Sequence, residues 1–440
     1  MAGEWREIAL WDIAEYINGR ATKPSELASN GVPVIKIAEL NRGITEETDR
    51  IPPELVQEKH WVSHGDLLFA WSGSVGIYRY TGSKAALNQH IFRVVGKPGI
   101  DQGFLRYLLL SCMPVFHLHV QDKRTTMGHV TKQDLQRIKV RVPPLQEQRA
   151  IAHILGTLDD KIELNRRMSQ TLEAMAQALF KAWFVDFEPV RAKLAGRWQR
   201  GVGANHDSPL QPGLPAHLYD LFPDRLVDSE LGEIPEGWEV KKLSDLCTTQ
   251  YGYTTSAVDE PVGPKFLRVT DINKRNWIEW GDVPYCAIEP DARASYSLQV
   301  GDLVVARMAD PGKSAIIEED IDAVFASYLV RLKTPSLAHS YYLYGFLKSD
   351  LYAEYAEGAK SGSVQANMNA KVIVGASLTV PPKAVLDAFL REVLPLRQRL
   401  VANVRESRTL AALRDALLPK LISGEIRVKD AERFLKERGL

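Results

Sequence analysis

Apolar residues recur in alternating steps of three and four along the stretch that follows the Pro143-Pro144 pair. A period near 3.5 is typical of a coiled-coil seam and is narrower than the apolar face of an ordinary surface helix. A long core helix of a globular domain can imitate a short seam, so this stretch alone leaves both interpretations open. The seam positions are Leu155, Leu158, Ile162, Asn165, Ser169, Leu172, Ala176, Leu179 and Trp183.

The same pattern occurs again after Pro381-Pro382, at a constant offset of 238 positions. The polar positions are repeated too, since Asn165 matches Asn403 and Ser169 matches Ser407. An asparagine in an apolar seam costs stability but fixes the register of paired helices. The helix-breaking pairs Gly156-Thr157 and Leu394-Pro395 are also related by the offset of 238, so we expect each helix to kink or restart there. The matching apolar positions are Phe389, Val393, Leu396, Leu400, Leu410 and Leu417.

The repeat extends into the regions that precede the two helices. Trp5 matches Trp238 and Gly19 matches Gly252 at an offset of 233, and residues 65–68 match residues 301–304 at an offset of 236. A drifting offset is what loop insertions produce. The chain therefore contains two copies of one module, and we expect them to pack about a pseudo-two-fold axis with antiparallel helices.

We predict an α+β fold in which two mixed α/β domains are joined by two long helices that form an antiparallel coiled coil. In the first domain we expect short strands at residues 32–37, 66–71, 91–95 and 138–142 and a helix at residues 104–112. The predicted segments are a first domain at 1–142, a first helix at 143–187, a linker at 188–236, a second domain at 237–380, a second helix at 381–423 and a charged tail at 424–440.

Composition limits the possible classes of protein. With 440 residues and 45% hydrophobic content, the chain can bury more than one core. It has no apolar run of membrane-spanning length and no signal-peptide pattern, so we expect a soluble, cytoplasmic protein. Cys112, Cys247 and Cys286 lack metal-ligand spacing, and we predict no metal site. Lys+Arg and Asp+Glu both number 55, so any DNA contact must come from local basic clusters.

Polar and aromatic residues cluster between the predicted elements of both domains. Forked and amide side chains set among lysines and arginines suit the reading of base edges and the anchoring of phosphates. An ordinary solvated loop explains each cluster equally well when it is taken alone. The loop chemistry nevertheless differs between the copies while the framework is repeated, as expected of two modules that read different targets. The candidate DNA-binding residues are Lys36, Asn41, Arg42, Trp71, Ser72, Asn88, Gln89, His90, Lys123, Arg124, Thr125 and His129 in the first domain, and Tyr251, Tyr253, Arg268, Asn273, Lys274, Arg275, Arg307, Lys360, Ser363, Gln365 and Asn367 in the second.

We find no catalytic motif and predict that the chain is not an enzyme. Val142 and Val380 precede the two Pro-Pro pairs, where an adenine methyltransferase would have asparagine or aspartate. Gly312-Lys313-Ser314 ends like a phosphate-binding loop, but Arg307 stands where the first glycine is needed. Pro223-Asp224 with Glu239-Val240-Lys241 fits a loose nuclease spacing, which we treat as coincidence because it lies in the predicted linker and runs onto a module start.

With these motifs in place, the sequence resembles the specificity subunits of type I restriction–modification enzymes over essentially its whole length. The resemblance implies two target-recognition domains that each read one half of a bipartite DNA site. It also implies assembly with two methylation subunits, which carry S-adenosylmethionine, and with restriction–translocation subunits, while this chain holds no cofactor itself. The motifs that carry the resemblance are Pro143-Pro144-Leu145-x-Glu147-Gln148-x-x-Ile151, Leu158-Asp159-x-x-Ile162, Gly65-Asp66-Leu67-Leu68 and Gly232-Glu233-Ile234-Pro235-Glu236-Gly237-Trp238.

The resemblance places the contacts with the methylation subunits on the paired helices. The second copy departs from the pattern, because Val385 and Leu386 replace the Glu-Gln pair of the first. We therefore leave open whether both helices make equivalent contacts. The residues assigned to the coiled coil and its subunit interface are Glu147, Gln148, Ile151, Leu155, Leu158, Ile162, Asn165, Leu172, Leu179, Leu396, Leu400, Asn403, Leu410 and Leu417.

The helices suggest a ruler between two DNA readers. Residues 158–185 would span about 40 Å at 1.5 Å per residue, which corresponds to roughly 12 base pairs of B-DNA at 3.4 Å each. This length predicts two short half-sites with unread bases between them. The alternatives are a coiled-coil scaffold that never binds DNA and a self-contained DNA enzyme, which the absence of catalytic motifs disfavours.

Overall fold

The computed structural model describes residues 4–121, 128–200, 215–360 and 367–436. The chain divides into two compact units, one made of Met1–Ile162 with Thr409–Leu440 and the other of Glu163–Arg408. Each unit contains one mixed α/β domain together with part of both long helices. The combination of these domains with long paired helices confirms the predicted α+β class.

In the first unit, short strands and helices precede the first long helix, α5 (Leu145–Phe184). The strands and helix expected from the sequence coincide with four of the observed strands, Val32–Ile35, Leu67–Ala70, Ile91–Gly96 and Lys139–Val142, and with the helix Gln102–Ser111. The strands are β1 (Arg6–Ala9), β2 (Ala14–Asn18), β3 (Val32–Ile35), β4 (Arg50–Ile51), β5 (Trp61–Val62), β6 (Leu67–Ala70), β7 (Gly76–Arg79), β8 (Ala85–Leu87), β9 (Ile91–Gly96) and β10 (Lys139–Val142); the helices before α5 are α1 (Ile37–Arg42), α2 (Gln102–Ser111), α3 (Met113–Gln121) and α4 (Lys132–Arg137).

These strands form small sheets around an apolar centre. An antiparallel sheet has the order β2-β9-β6-β7, and a second sheet has the order β4-β3-β8-β5 with β3 and β8 parallel. All four residues of β6 are buried, which explains the uninterrupted apolar sequence Leu-Leu-Phe-Ala. The antiparallel pair of β1 and β10 ties the start of the domain to the strand that leads into α5.

The second unit repeats this set of elements. Its strands are β11 (Leu226–Ser229), β12 (Gly232–Pro235), β13 (Glu239–Lys242), β14 (Thr248–Tyr251), β15 (Lys265–Leu267), β16 (Leu303–Ala306), β17 (Ser314–Ile316), β18 (Ala323–Phe325), β19 (Leu329–Lys333) and β20 (Ser377–Val380). Its shorter helices are α6 (Glu188–Leu194), α7 (Val269–Ile272), α8 (Pro290–Tyr296), α9 (Leu337–Leu347), α10 (Asp350–Lys360) and α11 (Ala370–Ile373), and the second long helix is α12 (Lys383–Ser423).

Most of the strand pairing is the same in the two units, although β4 and β5 have no counterpart among the named strands of the second unit and the β11–β12 hairpin has none in the first. The order β14-β19-β16-β17 repeats the first antiparallel sheet, β15 and β18 are parallel like β3 and β8, and β13 pairs with β20 as β1 pairs with β10. The matched glycines show why the sequence repeat includes them. A Cβ on Gly19 would lie 2.2 Å from the carbonyl oxygen of Asn88, and a Cβ on Gly252 would lie 2.2 Å from that of Ala326. Only glycine fits this close backbone approach in either copy.

The long helices pack antiparallel within each unit. In the first unit, Leu155 and Leu158 share a core with Leu410 and Leu417, and Asp159 pairs with Arg414 at 2.8 Å. In the second unit, increasing positions along α5 again meet decreasing positions along α12. Asn165 Nδ2 donates to Glu406 Oε2 at 2.8 Å, Glu173 pairs with Arg397, and Phe184 packs against Phe389 with ring centroids 5.0 Å apart.

Two features of the helices differ from the sequence expectations. The restart expected at Gly156 and Pro395 is wrong, because both helices continue through these positions. Leu172 and Leu179 are only half-buried, whereas their neighbours Glu173 and Phe180 are buried. An α-helix with 3.6 residues per turn drifts against a strict 3.5-residue repeat, so that Glu173 and Phe180 replace Leu172 and Leu179 on the buried face, while Ala176 and Trp183 of the predicted seam stay buried. The seam asparagines Asn165 and Asn403 are both buried, as expected.

The segment for which a linker is predicted is folded over its described part. Helix α6 and the β11–β12 hairpin belong to it, and Val190, Trp198 and Phe222 enter the core of the second unit. The charged tail contains helix α13 (Val428–Lys436), whose Ala431 is buried in the core of the first unit.

Across the described residues, no single helix has both the length and the apolar composition to cross a membrane. Only a bent pair, Gln102–Ser111 with Met113–Val120, reaches that length and composition when its two members are counted together.

Candidate nucleic-acid interface

The structure brings together six of the candidate residues in the first domain, which we call the Trp71 cluster: Trp71, Ser72, Asn88, Gln89, His90 and His129. The Trp71 ring stacks on Phe92 at 5.6 Å, lies 5.8 Å from the His90 ring and meets the His129 ring edge-on at 6.0 Å. Ser72 and His129 form an isolated β-bridge. The cluster lies where β6 ends and β9 begins, because Trp71 follows the last residue of β6 and His90 precedes the first of β9.

Two polar atoms of this cluster have no hydrogen-bond partner among the described residues. Gln89 Oε1 and His90 Nδ1 are buried and form no hydrogen bond to any described residue. Buried polar groups are rarely left unpaired in folded proteins, and an exception points to a missing water or ligand. A wide aromatic ring beside uncommitted amide and imidazole groups can stack on a base and accept or donate at its edge.

The other candidates of the first domain lie on or next to α1. Lys36 is the residue before the helix and pairs with Asp49, and Arg42 lies 3.8 Å from Glu39. Asn41 Oδ1 accepts a hydrogen bond from the Tyr78 hydroxyl at 3.1 Å. These side chains are partly committed within the domain, which makes α1 a weaker candidate for base reading than the Trp71 cluster.

The second domain places different side chains on the same framework. The carbonyl of Trp71 accepts from the Val130 N–H at 2.9 Å, and the carbonyl of Arg307 accepts from the Met368 N–H at 2.9 Å. Arg307 therefore occupies the position of Trp71. Its guanidinium lies over the Tyr251 ring at 5.0 Å, and its Nε is buried without a partner among the described residues. An arginine whose fork is not committed to a carboxylate is suited to the N7 and O6 acceptors of guanine.

One residue beside Trp71, Asn18, is not among the candidates selected from the sequence. Tyr251 of the second domain matches Asn18 of the first at the offset of 233 that relates Gly252 to Gly19. Asn18 Oδ1 accepts a hydrogen bond from Trp71 Nε1 at 3.3 Å. The same repeat that selected Tyr251 could therefore have identified Asn18.

The remaining candidates of the second domain are divided between two places. Tyr253 follows Tyr251 and packs against Tyr296 with ring centroids 5.2 Å apart. Arg268 precedes α7, in the position of Lys36, and pairs with Asp271 at 2.9 Å. Asn273, Lys274 and Arg275 line a different feature, a cavity of about 750 Å³ whose lining does not include Tyr251 or Arg307.

This cavity is rich in lysine. Lys274, Lys313 and Lys348 line it, and none of the three has a carboxylate within 4.0 Å among the described residues. Lys348 Nζ donates to Asn276 Oδ1 at 3.3 Å. Burial, and after it the charge of Lys313, lowers the pKa of Lys348 to about 8. Lys313 and Lys348 were not selected as candidates from the sequence, because their proximity depends on a β-hairpin and a helix end that are far apart along the chain.

Some predicted site residues cannot be placed. Lys123, Arg124, Thr125, Ser363 and Gln365 lie outside the described residues, as does the side chain of Lys360. Asn367 is exposed and precedes Met368, whose N–H bonds to Arg307. Within the described ranges, no group of three or more His, Cys, Asp or Glu side chains is arranged to hold a metal ion.

Comparison with known proteins identifies the family. A family model described as the type I restriction modification DNA specificity domain matches residues 2–174. The type I restriction enzyme HindI specificity subunit of Haemophilus influenzae is 26% identical, over 96% of this chain and 100% of that protein. The MjaIX specificity subunit of Methanocaldococcus jannaschii is 24% identical, over 97% of this chain and 94% of that protein. The chain is thus similar to type I restriction enzyme specificity subunits over nearly its whole length.

A solved structure supports the fold of this chain. The S subunit of a type I restriction–modification system from M. genitalium superposes with a TM-score of 0.52 at 13% identity, and the match covers 95% of this chain and 96% of that one. The matched family model and the named relatives confirm the resemblance drawn from the sequence.

The Glu147-Gln148 pair makes its contacts within the first unit of the chain. Glu147 accepts from Trp5 Nε1 at 3.2 Å and lies 3.5 Å from Arg427. Gln148 is fully buried: it accepts from the Asp101 N–H at 2.8 Å and donates to the carbonyls of Gly99 and Pro143 at 3.0 and 2.9 Å. The pair thus fastens the start of α5 to the first domain, and its contact with a methylation subunit stays a prediction.

In the second copy, apolar packing replaces this polar fastening. Val385 and Leu386, which stand at the positions of Glu147 and Gln148, are buried in the core of the second unit. The departure from the family motif therefore has a structural reason.

Proposed function

We propose that each recognition domain of this specificity subunit reads one half of a bipartite DNA site. The observation that carries the proposal is one framework with unlike side chains at the same positions. Asn18, Trp71 and His90 lie there in the first domain, and Tyr251 and Arg307 in the second. Direct readout depends on side-chain chemistry at base edges, so two such surfaces would select different sequences.

We further propose that the long helices set the number of unread base pairs between the half-sites. Helix α5 has 40 residues and α12 has 41. Inserting one heptad into each helix would add about 10 Å at 1.5 Å per residue, or roughly three base pairs at 3.4 Å each. We expect a longer spacer with unchanged half-sites. An unaltered spacer would refute the ruler.

The partners in this proposal are double-stranded DNA, two methylation subunits and restriction–translocation subunits. The chain itself would hold no cofactor, and the S-adenosylmethionine would be held by the methylation subunits. The names of the relatives as restriction enzyme specificity subunits support the type of assembly. Because cellular DNA is the target, a cytoplasmic location also forms part of the proposal.

The decisive experiment is to purify the chain with its methylation subunit and to map methylated adenines across random-sequence DNA. We expect two short specified sequences separated by a fixed number of unspecified bases. Exchanging residues 1–142 for those of a relative should change one half-site only. Stable assembly without any sequence preference would instead leave a coiled-coil scaffold.

Two substitutions test the two surfaces. Trp71→Ala should weaken binding to DNA by about 1–3 kcal/mol for a lost stacked base, with little change in sequence preference. Arg307→Met should relax the sequence requirement in one half-site by about 1–3 kcal/mol of discrimination for a lost base contact. Arg399→Met, at an exposed position of α12, should change neither. Equal weakening of binding to all sequences by Arg307→Met would mean that Arg307 contacts only the DNA backbone.

A further inference from the structure

The first domain meets helix α5 through cations on the domain and acids on the helix. Arg106 Nη1 donates to Asp159 Oδ2 at 2.5 Å, and the Tyr107 hydroxyl donates to the same oxygen at 2.7 Å. Arg79 pairs with Asp160 at 3.4 Å. Arg414, from α12, completes the site by donating to Asp159 Oδ1 at 2.8 Å. The Asp159 side chain is only 15% exposed, so this contact is largely shielded from water.

The second domain meets helix α12 with the charges reversed. Glu318, which lies just after β17, accepts from Arg397 Nε at 2.8 Å. Glu319 accepts from Arg405 Nε at 2.6 Å and lies 3.3 Å from Arg408. Glu173, from α5, completes the site by pairing with Arg397. Here the domain supplies the acids and the helix supplies the cations.

The two sites occupy the same place in the repeat. Asp159 and Arg397 are separated by the constant helix offset of 238 positions, as are Asp160 and Gln398. The supporting residues from the other helix lie at different positions of the repeat, because Glu173 matches Ala411 and Arg414 matches Ala176 at that offset. The charge at one helix position of the module is therefore inverted between the copies, and each copy surrounds it with charged partners of its own.

We propose that these charge-inverted contacts determine which recognition domain each helix accepts. Seated on α5, the second domain would bring Glu318 against Asp159. Seated on α12, the first domain would bring Arg106 against Arg397. Like charges in a shielded contact repel strongly and lose the hydrogen bonds that offset their desolvation.

The consequence is a fixed order of the two domains along the chain. A foreign recognition domain would dock at the first position only if it presents cations to α5, and at the second only if it presents acids to α12. This docking rule concerns the contact between domain and helix, so it does not depend on whether either domain binds DNA.

The test uses the full chain with the two domains exchanged, so that residues 238–380 precede α5 and residues 5–142 precede α12. A second version also exchanges the charged helix positions: Asp159→Arg, Asp160→Gln, Gln170→Arg, Ala411→Glu and Arg414→Ala for the first site, and Arg397→Asp, Gln398→Asp, Arg408→Gln, Glu173→Ala and Ala176→Arg for the second. Hydrogen exchange is measured on the domain segments that contact the helices. Every peptide remains unique because each domain is present once.

We expect the simple exchange to lose at least tenfold protection in these segments, and the version with exchanged charges to recover it to within threefold of the native chain. Full protection in the simple exchange would overturn the proposal. Failure of the second version to recover would overturn it as well, because the determinants would then lie elsewhere.

A test in the native order does not depend on domain exchange. Asp159→Arg alone should remove protection in the first domain, and adding Arg106→Asp with Arg414→Asp should restore it. Arg399→Asp, at an exposed position of α12, serves as the control and should leave protection unchanged. If the triple variant is no better protected than the single one, charge complementarity does not hold this contact.

Discussion

Replacing Arg397 with methionine should destabilise the second unit by about 3–5 kcal/mol, the usual effect of removing one partner from a buried ion pair. The Arg397 side chain is 1% exposed, and those of Glu173 and Glu318 are 4% and 8% exposed. Methionine fills much of the same volume but leaves two carboxylates without their cation. The variant therefore measures the charge contact rather than a cavity.

Proton uptake limits the size of this loss. Burial raises the pKa of Glu318 to about 8. This value applies with Arg397 in place. Without this cation the buried carboxylate is less favourable still, so the carboxyl stays protonated to a higher pH. The folded variant then binds more protons than the unfolded chain between about pH 4 and pH 8, so its stability falls as the pH rises through this range. We expect the deficit to be smaller at pH 5 than at pH 8.

The assay is urea unfolding followed by tryptophan fluorescence, since Trp183, Trp198 and Trp238 are buried in the second unit. At 2–4 °C for each kcal/mol in a unit of this size, the midpoint of thermal unfolding should fall by about 10 °C. Arg399→Met is the matched control, because Arg399 is an exposed arginine of the same helix, and it should change stability by at most about 0.5 kcal/mol. A loss below about 1 kcal/mol for Arg397→Met, or a deficit independent of pH, would refute this account of the contact.

Four further variants test other parts of the structure. Gln148→Ala should cost the first unit about 3 kcal/mol in denaturant unfolding, because three buried backbone groups lose their partner. Gly252→Ala should reduce the yield of folded protein, since its Cβ would lie 2.2 Å from the Ala326 carbonyl oxygen. At Gly358 an added Cβ would meet no atom within 4 Å, so Gly358→Ala should increase the free energy of unfolding by up to about 1 kcal/mol. The lowered pKa of Lys348, about 8, means that the folded state releases this proton before the unfolded state does. Stability should therefore rise between about pH 8 and pH 10.5, by about 2 kcal/mol after allowance for partial exposure, and Lys348→Met should abolish this rise.

The internal repeat allowed much of the fold to be predicted from the sequence. A glycine pair at a fixed offset marked a backbone approach that both copies share, at Gly19 and Gly252. The buried asparagines Asn165 and Asn403 likewise marked one position of the helix pair. The residue type at such a position is determined by local steric fit or by burial, so a single residue in the sequence is enough to indicate it.

Other features depend on contacts that a linear pattern does not contain. Pro395 lies within a continuous helix, because tertiary packing on both sides of it outweighs one lost backbone hydrogen bond. Trp198 and Phe222 lie in a segment rich in proline and glycine, yet they enter the core of the second unit. Periodicity describes elements well, but it does not show which irregular segments are covered by others.

The candidate site was predicted unevenly for the same reason. Trp71, His90 and Arg307 were selected by residue type, and the structure places Trp71 and Arg307 at one framework position. Lys313 and Lys348 were missed because a hairpin and a helix end bring them to one cavity. The inversion between Asp159 and Arg397 was visible at the offset of 238, but its meaning required the domain side of each contact.

Because the two copies share one framework, their side chains can be compared at matched positions. Where the framework needs a backbone hydrogen bond, both copies form it, as the 2.9 Å bonds to the carbonyls of Trp71 and Arg307 show. They differ at the side chains of that position and in the charges that fasten each domain to its helix. The inverted helix position has domain partners from different places in the two copies, since Arg106 matches Tyr344 and not Glu318 at the offset of 238. A charge change on the helix alone would leave a shielded charge unpaired. Each domain therefore carries the partners that suit its own helix, as expected if each domain has a fixed place in the chain.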